Sequence, residues 1–240
     1  MMQTRDEESI HPWTLQAGIV DVWLADARAR IEPLEAYRRV LSAEERERCA
    51  RYRYAELQDF YTFSQGTLRR LLGRYLAVEP DEIAFGFGPV GKPFVVGAPT
   101  LQFNLSHSGT QVAYAFTLEA PLGVDIERER EFEDLAAVAA DFFSPAEQQR
   151  LLQLPEEHRI PAFFQCWSRK EAVIKTTGEG VSRPLDSFEV AFGPGMPAAL
   201  LRLDSNRNPG WMMAAFDAGA GYAAAVASPV PWRQLNVRRL

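Results

Sequence analysis

The 240-residue sequence predicts an α+β fold, a pseudo-twofold duplication of two similar helix-plus-antiparallel-sheet lobes with the active site in the cleft between them. Three observations carry that expectation. The chain repeats itself: LSAEERER (41–48) matches FSPAEQQR (143–150), FYTFS (60–64) matches FQCWS (164–168), and PDEIAF (80–85) has a looser counterpart in PLDSFEVAF (184–192). Any two amphipathic helices look somewhat alike, but three matches in the same order point to a duplicated unit. Within each half, helical signals precede short alternating strands. Nearly half the residues are apolar and a quarter charged, which supplies a soluble globular core. Two lobes leave a cleft, and ligands favour such places.

The elements follow in order. IVDVWL (19–24) alternates like a strand. Ser42 opens a helix, with Glu45 completing a capping box. No proline intervenes before Pro80, so 42–78 reads as one helix or two, with Gly66 as the candidate break. Gly86, Gly88, Gly91 and Pro93 mark a loop with short strands. Strands are expected at 102–105, 111–118 and 123–127. Helices return at Ser144-Pro145, where Glu147 closes a second capping box, and at 163–177. Short strands around 187–192, 200–203, 211–216 and 222–227 finish the chain.

The net charge of −6 argues against a general nucleic-acid binder. No stretch reaches the ~20 apolar residues of a membrane span. MMQTRDEESI lacks the apolar core of a secretory signal, and Cys49 and Cys166 make no disulfide framework, so a reducing cytoplasm is expected. Arg46, Arg48, Arg51, Arg53, Arg69, Arg70 and Arg74 crowd together among glutamates. Most read as a solvated face; one or two can meet an anionic small molecule.

GVDIE (123–127) puts Asp125 and Glu127 on one face of a strand, their Cα atoms ~7 Å apart. Two hard-oxygen ligands of this kind suit Mg²⁺, which leaves other positions to water and phosphate; a solvated strand end is the competing account. Ser168, Glu171 and Lys175 share one helix face. There Glu171 can serve a metal or a proton and Lys175 a phosphate oxygen, or the two form a surface pair worth ~0.3 kcal/mol. In the repeat as aligned above, Gly66 and Thr67 stand where the second copy has Lys170 and Glu171, and charge in one copy only points to chemistry. In FNLSHSG (103–109), Ser106, His107 and Ser108 are expected in a turn that can hold a phosphate, and GKPF (91–94) offers Lys92 as a point charge.

Together, Gly91-Lys92-Pro93, Phe103-Asn104-Leu105-Ser106-His107-Ser108, Gly123-Val124-Asp125-Ile126-Glu127 and Trp167-Ser168-Arg169-Lys170-Glu171-Ala172 followed by Lys175 resemble the 4′-phosphopantetheinyl transferases of the surfactin-synthetase-activating (Sfp) type. Order and spacing fit across residues 20–227. The resemblance implies an N-terminal lobe, 1–121, and a C-terminal lobe, 122–240, that carries the metal site. It implies Mg²⁺-dependent transfer of the phosphopantetheine arm of coenzyme A (CoA) to a serine of an apo carrier protein, releasing adenosine 3′,5′-bisphosphate. Asp125, Glu127 and Glu171 would hold the metal, Glu171 would act as base, and Lys175 would stabilise the leaving pyrophosphate charge. Gly91, Lys92, Pro93, Asn104, Ser106, His107 and Asp125, with Arg48 and Arg53, would contact CoA. The region of the first capped helix departs from the family's more basic pattern, reading Leu57-Gln58-Asp59-Phe60-Tyr61. A monomer is expected, with no nucleic-acid or membrane partner. A Mg²⁺-dependent pyrophosphate hydrolase and a non-catalytic CoA- or carrier-binding module are the alternatives.

Overall fold

A computed structural model describes residues 13–178, 183–203, 206–207 and 210–240. The chain folds as two compact units: Ile31–Ala84 with the segment ending at Leu15, and Gln16–Arg30 with Phe85–Leu240. The 121/122 boundary that the resemblance implies falls within the second unit.

The first unit is helical: α1 (Leu34–Arg39), α2 (Ala43–Ala50) and α3 (Ala55–Leu76). Ser42 caps α2 as expected, its hydroxyl accepting from Glu45 N at 3.1 Å while Glu45 Oε2 accepts from Ser42 N at 2.8 Å. The helical stretch breaks between Ala50 and Ala55, not at Gly66, which lies inside an unbroken α3. The reason is packing: a Cβ at Gly66 would come within 2.7 Å of Tyr37 Cβ, so the glycine marks a close approach of α1 rather than a helix end.

The second unit holds the sheets. β1 (Ile19–Asp26), β4 (Leu101–Ser108), β5 (Gln111–Leu118) and β12 (Gln234–Arg239) form one sheet in the order β12-β1-β5-β4, antiparallel except for β1 and β12. β6 (Gly123–Arg128), β10 (Met212–Ala215) and β11 (Tyr222–Ser228) form a second sheet, β10-β11-β6. A hairpin of β2 (Phe85–Phe87) and β3 (Pro93–Val95) and a small sheet of β7 (Phe188–Val190), β8 (Leu200–Leu203) and β9 (Asn206–Arg207) complete it. Helices α4 (Leu135–Phe142), α5 (Pro145–Gln153) and α6 (Glu156–Thr177) fill the chain between β6 and β7. The expected strand 111–118 and the strand 200–203 appear with those bounds, whereas β12 and α4 carry no clear signal.

Period-2 patterning assembles this unit. Val124 and Ile126 of β6 and Ala224 and Val226 of β11 face Val20, Val22, Leu24, Ala113 and Ala115 of the other sheet. The alternate residues of β11, Ala223, Ala225 and Ala227, join the core beneath α6. Gly123 shares that face, where an added Cβ would sit 2.1 Å from Ala172 O and 2.5 Å from Thr176 N. Small side chains therefore let α6 lie almost directly on the sheet.

The duplication is visible in a buried cation. In the first unit Arg69, 2% exposed, donates to Glu45 Oε2 at 2.6 Å, Pro80 O at 2.8 Å and Ile83 O at 3.0 Å. In the second, Lys170 Nζ meets Glu147 Oε2 at 2.7 Å, Leu185 O at 2.7 Å and Phe188 O at 2.6 Å. Each cation joins a capping-box glutamate to the first carbonyl of a short 3₁₀ turn, Pro80–Glu82 or Leu185–Ser187, and to the carbonyl of the residue that follows the turn. Helices α3 and α6 are each 22 residues long, and aligning their ends pairs Arg69 with Lys170, Arg70 with Glu171 and Arg74 with Lys175. This register corrects the one expected from sequence, which paired Gly66 and Thr67 with Lys170 and Glu171. A core cation thus stands at this place in both copies, as Arg69 and as Lys170, so the charge of Lys170 is no sign of chemistry.

Candidate active site

Three alternate residues of β4 replace a main-chain ladder to β6. Asn104 Oδ1 accepts from Val124 N at 2.9 Å, and the Ser106 hydroxyl donates to Asp125 Oδ1 at 2.8 Å. The Ser108 hydroxyl donates to Glu127 Oε2 at 3.0 Å and accepts from Arg128 N at 3.0 Å. Ser106, His107 and Ser108 thus belong to a strand, not to the expected turn, which is Gly109-Thr110. The sequence signal was there in the polar period of two, N-x-S-x-S, which fits a strand face turned to a polar neighbour.

Helix α6 supplies the opposite side. Trp167, Glu171, Ile174, Lys175 and Gly178 lie along one face, and they line a cavity of about 790 Å³ together with Val90, Gly91, Lys92, Pro93 and Asn104. That volume suits a small-molecule ligand. Ser168, expected on the same face, is buried, its hydroxyl on Gln165 O at 3.3 Å. The lysine of this face reaches inward: Lys175 Nζ stands 2.6 Å from Asp125 Oδ1 and 2.7 Å from Ser106 Oγ. Asp125 is 2% exposed, and its second oxygen, Oδ2, is buried with no hydrogen bond among the described residues.

The electrostatics follow from crowding. Burial pushes the Asp125 carboxyl above its ordinary value, opposed by Lys175 and the Ser106 hydroxyl. Burial also raises Glu127 and Glu171, and the negative charge of Asp125 adds to both shifts. His107 is held below its ordinary value by the atoms packed around it and by Lys175. Three carboxyl groups thus share one region with the Lys175 ammonium, and the Arg130 guanidinium also acts on Glu127.

Whether these residues suit a divalent cation turns on two observations. Among the described residues, no three His, Cys, Asp or Glu side chains stand close enough together to hold a metal ion, and Lys175 takes one oxygen of Asp125. Against that, Asp125 Oδ2 is a buried carboxylate oxygen with no partner among the described residues, and such an atom is costly unless a donor or cation meets it. The donor set fits a hard divalent cation.

The other expected residues are placed as follows. Gly91 adopts φ +84 in the β2–β3 loop and Pro93 begins β3. Lys92 Nζ lies on three main-chain oxygens: Lys175 O at 2.8 Å, Leu122 O at 2.9 Å and Thr176 O at 3.3 Å. Arg48 and Arg53 belong to the first unit, their guanidinium carbons 5.9 Å and 5.5 Å from the ring centroids of Tyr61 and Tyr54.

Comparison with known proteins decides the family. The model of the 4′-phosphopantetheinyl transferase superfamily matches residues 121–227, and that of the 4′-phosphopantetheinyl transferase N-terminal region matches 29–119. The 4′-phosphopantetheinyl transferase HetI of Nostoc sp. is 35% identical over 78% of this chain and 80% of its own. The chain belongs to the Sfp-type 4′-phosphopantetheinyl transferase family. Sfp of Bacillus subtilis is 30% identical over 83% of this chain and 87% of its own, and psf-1 of Bacillus pumilus 36% over 77% and 76%. The join between the two family matches falls between β5 and β6, so β4 and β6, which meet through Ser106 and Asp125, come from different transferase regions.

Proposed function

We propose that this chain moves the 4′-phosphopantetheine arm of CoA onto a serine hydroxyl of an apo acyl or peptidyl carrier protein, with adenosine 3′,5′-bisphosphate as the second product. The observation that carries the reading is the cluster of Asp125, Glu127, Glu171 and Lys175 beside a cavity of about 790 Å³ in a member of this transferase family. Asp125, Glu127 and Glu171 would hold Mg²⁺, which when bound supplies charge neutralisation to a pyrophosphate. Glu171 lines the cavity, and its raised carboxyl suits it to take the proton of the carrier serine as that oxygen bonds to phosphorus. Lys175 meets the charge that develops as the bond to the bisphosphate breaks. No protein nucleophile is needed. Gly91, Pro93, Asn104, Ser106, His107, Arg48 and Arg53 are proposed CoA contacts.

The proposed division into lobes 1–121 and 122–240 is supported by the ends of the two family matches. Cys49 and Cys166 are buried free thiols, which suits a reducing cytoplasm. Among the described residues no helix is long and apolar enough to cross a membrane. The internal duplication supports action as a monomer. Intact-mass measurement of apo carriers incubated with CoA, Mg²⁺ and this protein tests the reading. A carrier heavier by one phosphopantetheine is expected. Free phosphopantetheine phosphate formed without carrier would identify a hydrolase instead, and unchanged CoA and carrier would leave a binding module.

A further inference from the structure

Lys92 lies in the cavity wall, and its ammonium is bound to main-chain carbonyls. It is aimed at Lys175 O, Leu122 O and Thr176 O, enough acceptors for all three of its protons. An α-helix leaves its last four carbonyls without helical donors and concentrates partial negative charge there. Lys175 and Thr176 lie in that last turn of α6, and Leu122 immediately precedes β6. One side chain from the β2–β3 loop therefore ties the end of α6 to the start of β6. Both tethered elements matter for the site: the carbonyl it holds belongs to the residue whose ammonium meets Asp125, and Asp125 stands on β6.

The first unit provides an internal comparison. Arg74, in register with Lys175, has its carbonyl met by the main-chain N–H of Trp13 at 3.1 Å, and its guanidinium carbon lies 4.9 Å from the centroid of the Trp13 ring. A cation on the last-turn carbonyls is thus found in the copy that carries the carboxylates. The end of α6 is also shaped for it. Gly178 leaves the helix at φ +69, and a Cβ built there would lie 3.7 Å from both Lys92 Cδ and Val90 Cγ2, so the loop packs against the helix terminus.

We propose that Lys92 is a positioning residue for the transfer, acting through Lys175: by capping α6 and tethering it to β6, it sets where the Lys175 ammonium stands relative to Asp125. The proposal rests on the transferase reading above, and departs from the phosphate contact that the family resemblance implies for this lysine. The test uses the full-length protein and its Lys92→Met and Lys92→Arg variants. Steady-state kinetics with CoA and an apo carrier are paired with hydrogen exchange of α6 measured without either substrate.

Positioning predicts that Lys92→Met lowers kcat by about tenfold to a hundredfold, the range a slight misplacement produces. The KM for CoA should stay within about twofold, because no ground-state contact is lost. The amides of Thr176, Thr177 and Gly178 should exchange faster. Lys92→Arg, still a charged donor, should recover most of the turnover and the protection. A raised KM with kcat and exchange unchanged would assign Lys92 to a CoA phosphate and overturn the proposal. A loss of kcat without faster exchange, or a Met variant equal to the parent, would overturn it as well. Should the parent protein leave every carrier unmodified, the transferase reading fails by itself, while unchanged exchange in the Met variant still decides against the tether.

Discussion

Replacing Lys170 by Met is the sharpest way to separate architecture from chemistry on α6. Lys170 is 0% exposed and Glu147 is 1% exposed, and the pair meets at 2.7 Å. The ammonium also serves Leu185 O and Phe188 O, while Glu147 accepts from Ser144 N at 2.9 Å and Val190 N at 2.8 Å. Every polar atom of the pair therefore has a partner inside the protein. Methionine fills similar volume but leaves a buried carboxylate without its cation, a change that costs about 3–5 kcal/mol. For a chain of this size each kcal/mol moves Tm by about 2–4 °C, so a fall of about 6–20 °C is expected. Adding Glu147→Gln removes the orphaned charge while keeping an acceptor for Ser144 N, and should recover part of the loss, a coupling of about 0.5–3 kcal/mol. Urea unfolding followed by circular dichroism reads both variants. Transfer measured well below Tm should change little. A Met variant that unfolds like the parent yet has lost transfer would refute the assignment of Lys170 to the core and return it to the active site.

Gly123→Ala should both destabilise and inactivate the protein. The new methyl meets main-chain atoms of Ala172 and Thr176, which have no rotamer by which to yield, so α6 must move off β6. Overpacking of this kind costs about 1–3 kcal/mol. The shift separates Lys175 from Asp125; thermal unfolding and transfer rates both near the parent's would show that the helix does not lie this close. The pH response of Lys92 has a definite sign. Burial lowers its ammonium from 10.5 to about 8. Between those values the unfolded chain holds the extra proton, so this group makes stability rise with pH over that window, and its full desolvation cost is present below it. Turnover should move the opposite way, falling as pH passes about 8, because the neutral amine has two protons for three carbonyls. Pre-steady-state transfer rates from about pH 7 to about pH 9.5, on either side of the lowered value of about 8, check this; the Lys92→Arg variant should lack the alkaline decline, and a decline shared by both would assign it elsewhere.

What could be read along the chain was local. Ser42 with Glu45 and Ser144 with Glu147 close capping boxes over three residues, and both are present as expected. Val124 and Ile126 alternate with Asp125 and Glu127, and the two pairs do take opposite faces of β6. Glu171 and Lys175 share a helix face because four residues make about one turn. Such interactions span a few residues, so the sequence alone decides them. The tertiary structure decided everything that depends on which distant group arrives. It put Lys170 against Glu147 in the core and left Lys175, five positions on, to meet Asp125 from another element. It made Gly66 a contact point instead of a break, and turned Ser106 from a turn residue into the bridge between Asp125 and Lys175. It aimed Lys92 at the end of a helix eighty-odd residues away in sequence. A lysine's composition and neighbours are the same whether it ends on a phosphate, a carboxylate or a row of carbonyls. The path of the folded backbone determines which of these lies within reach, and the low dielectric of the interior makes that choice energetically decisive.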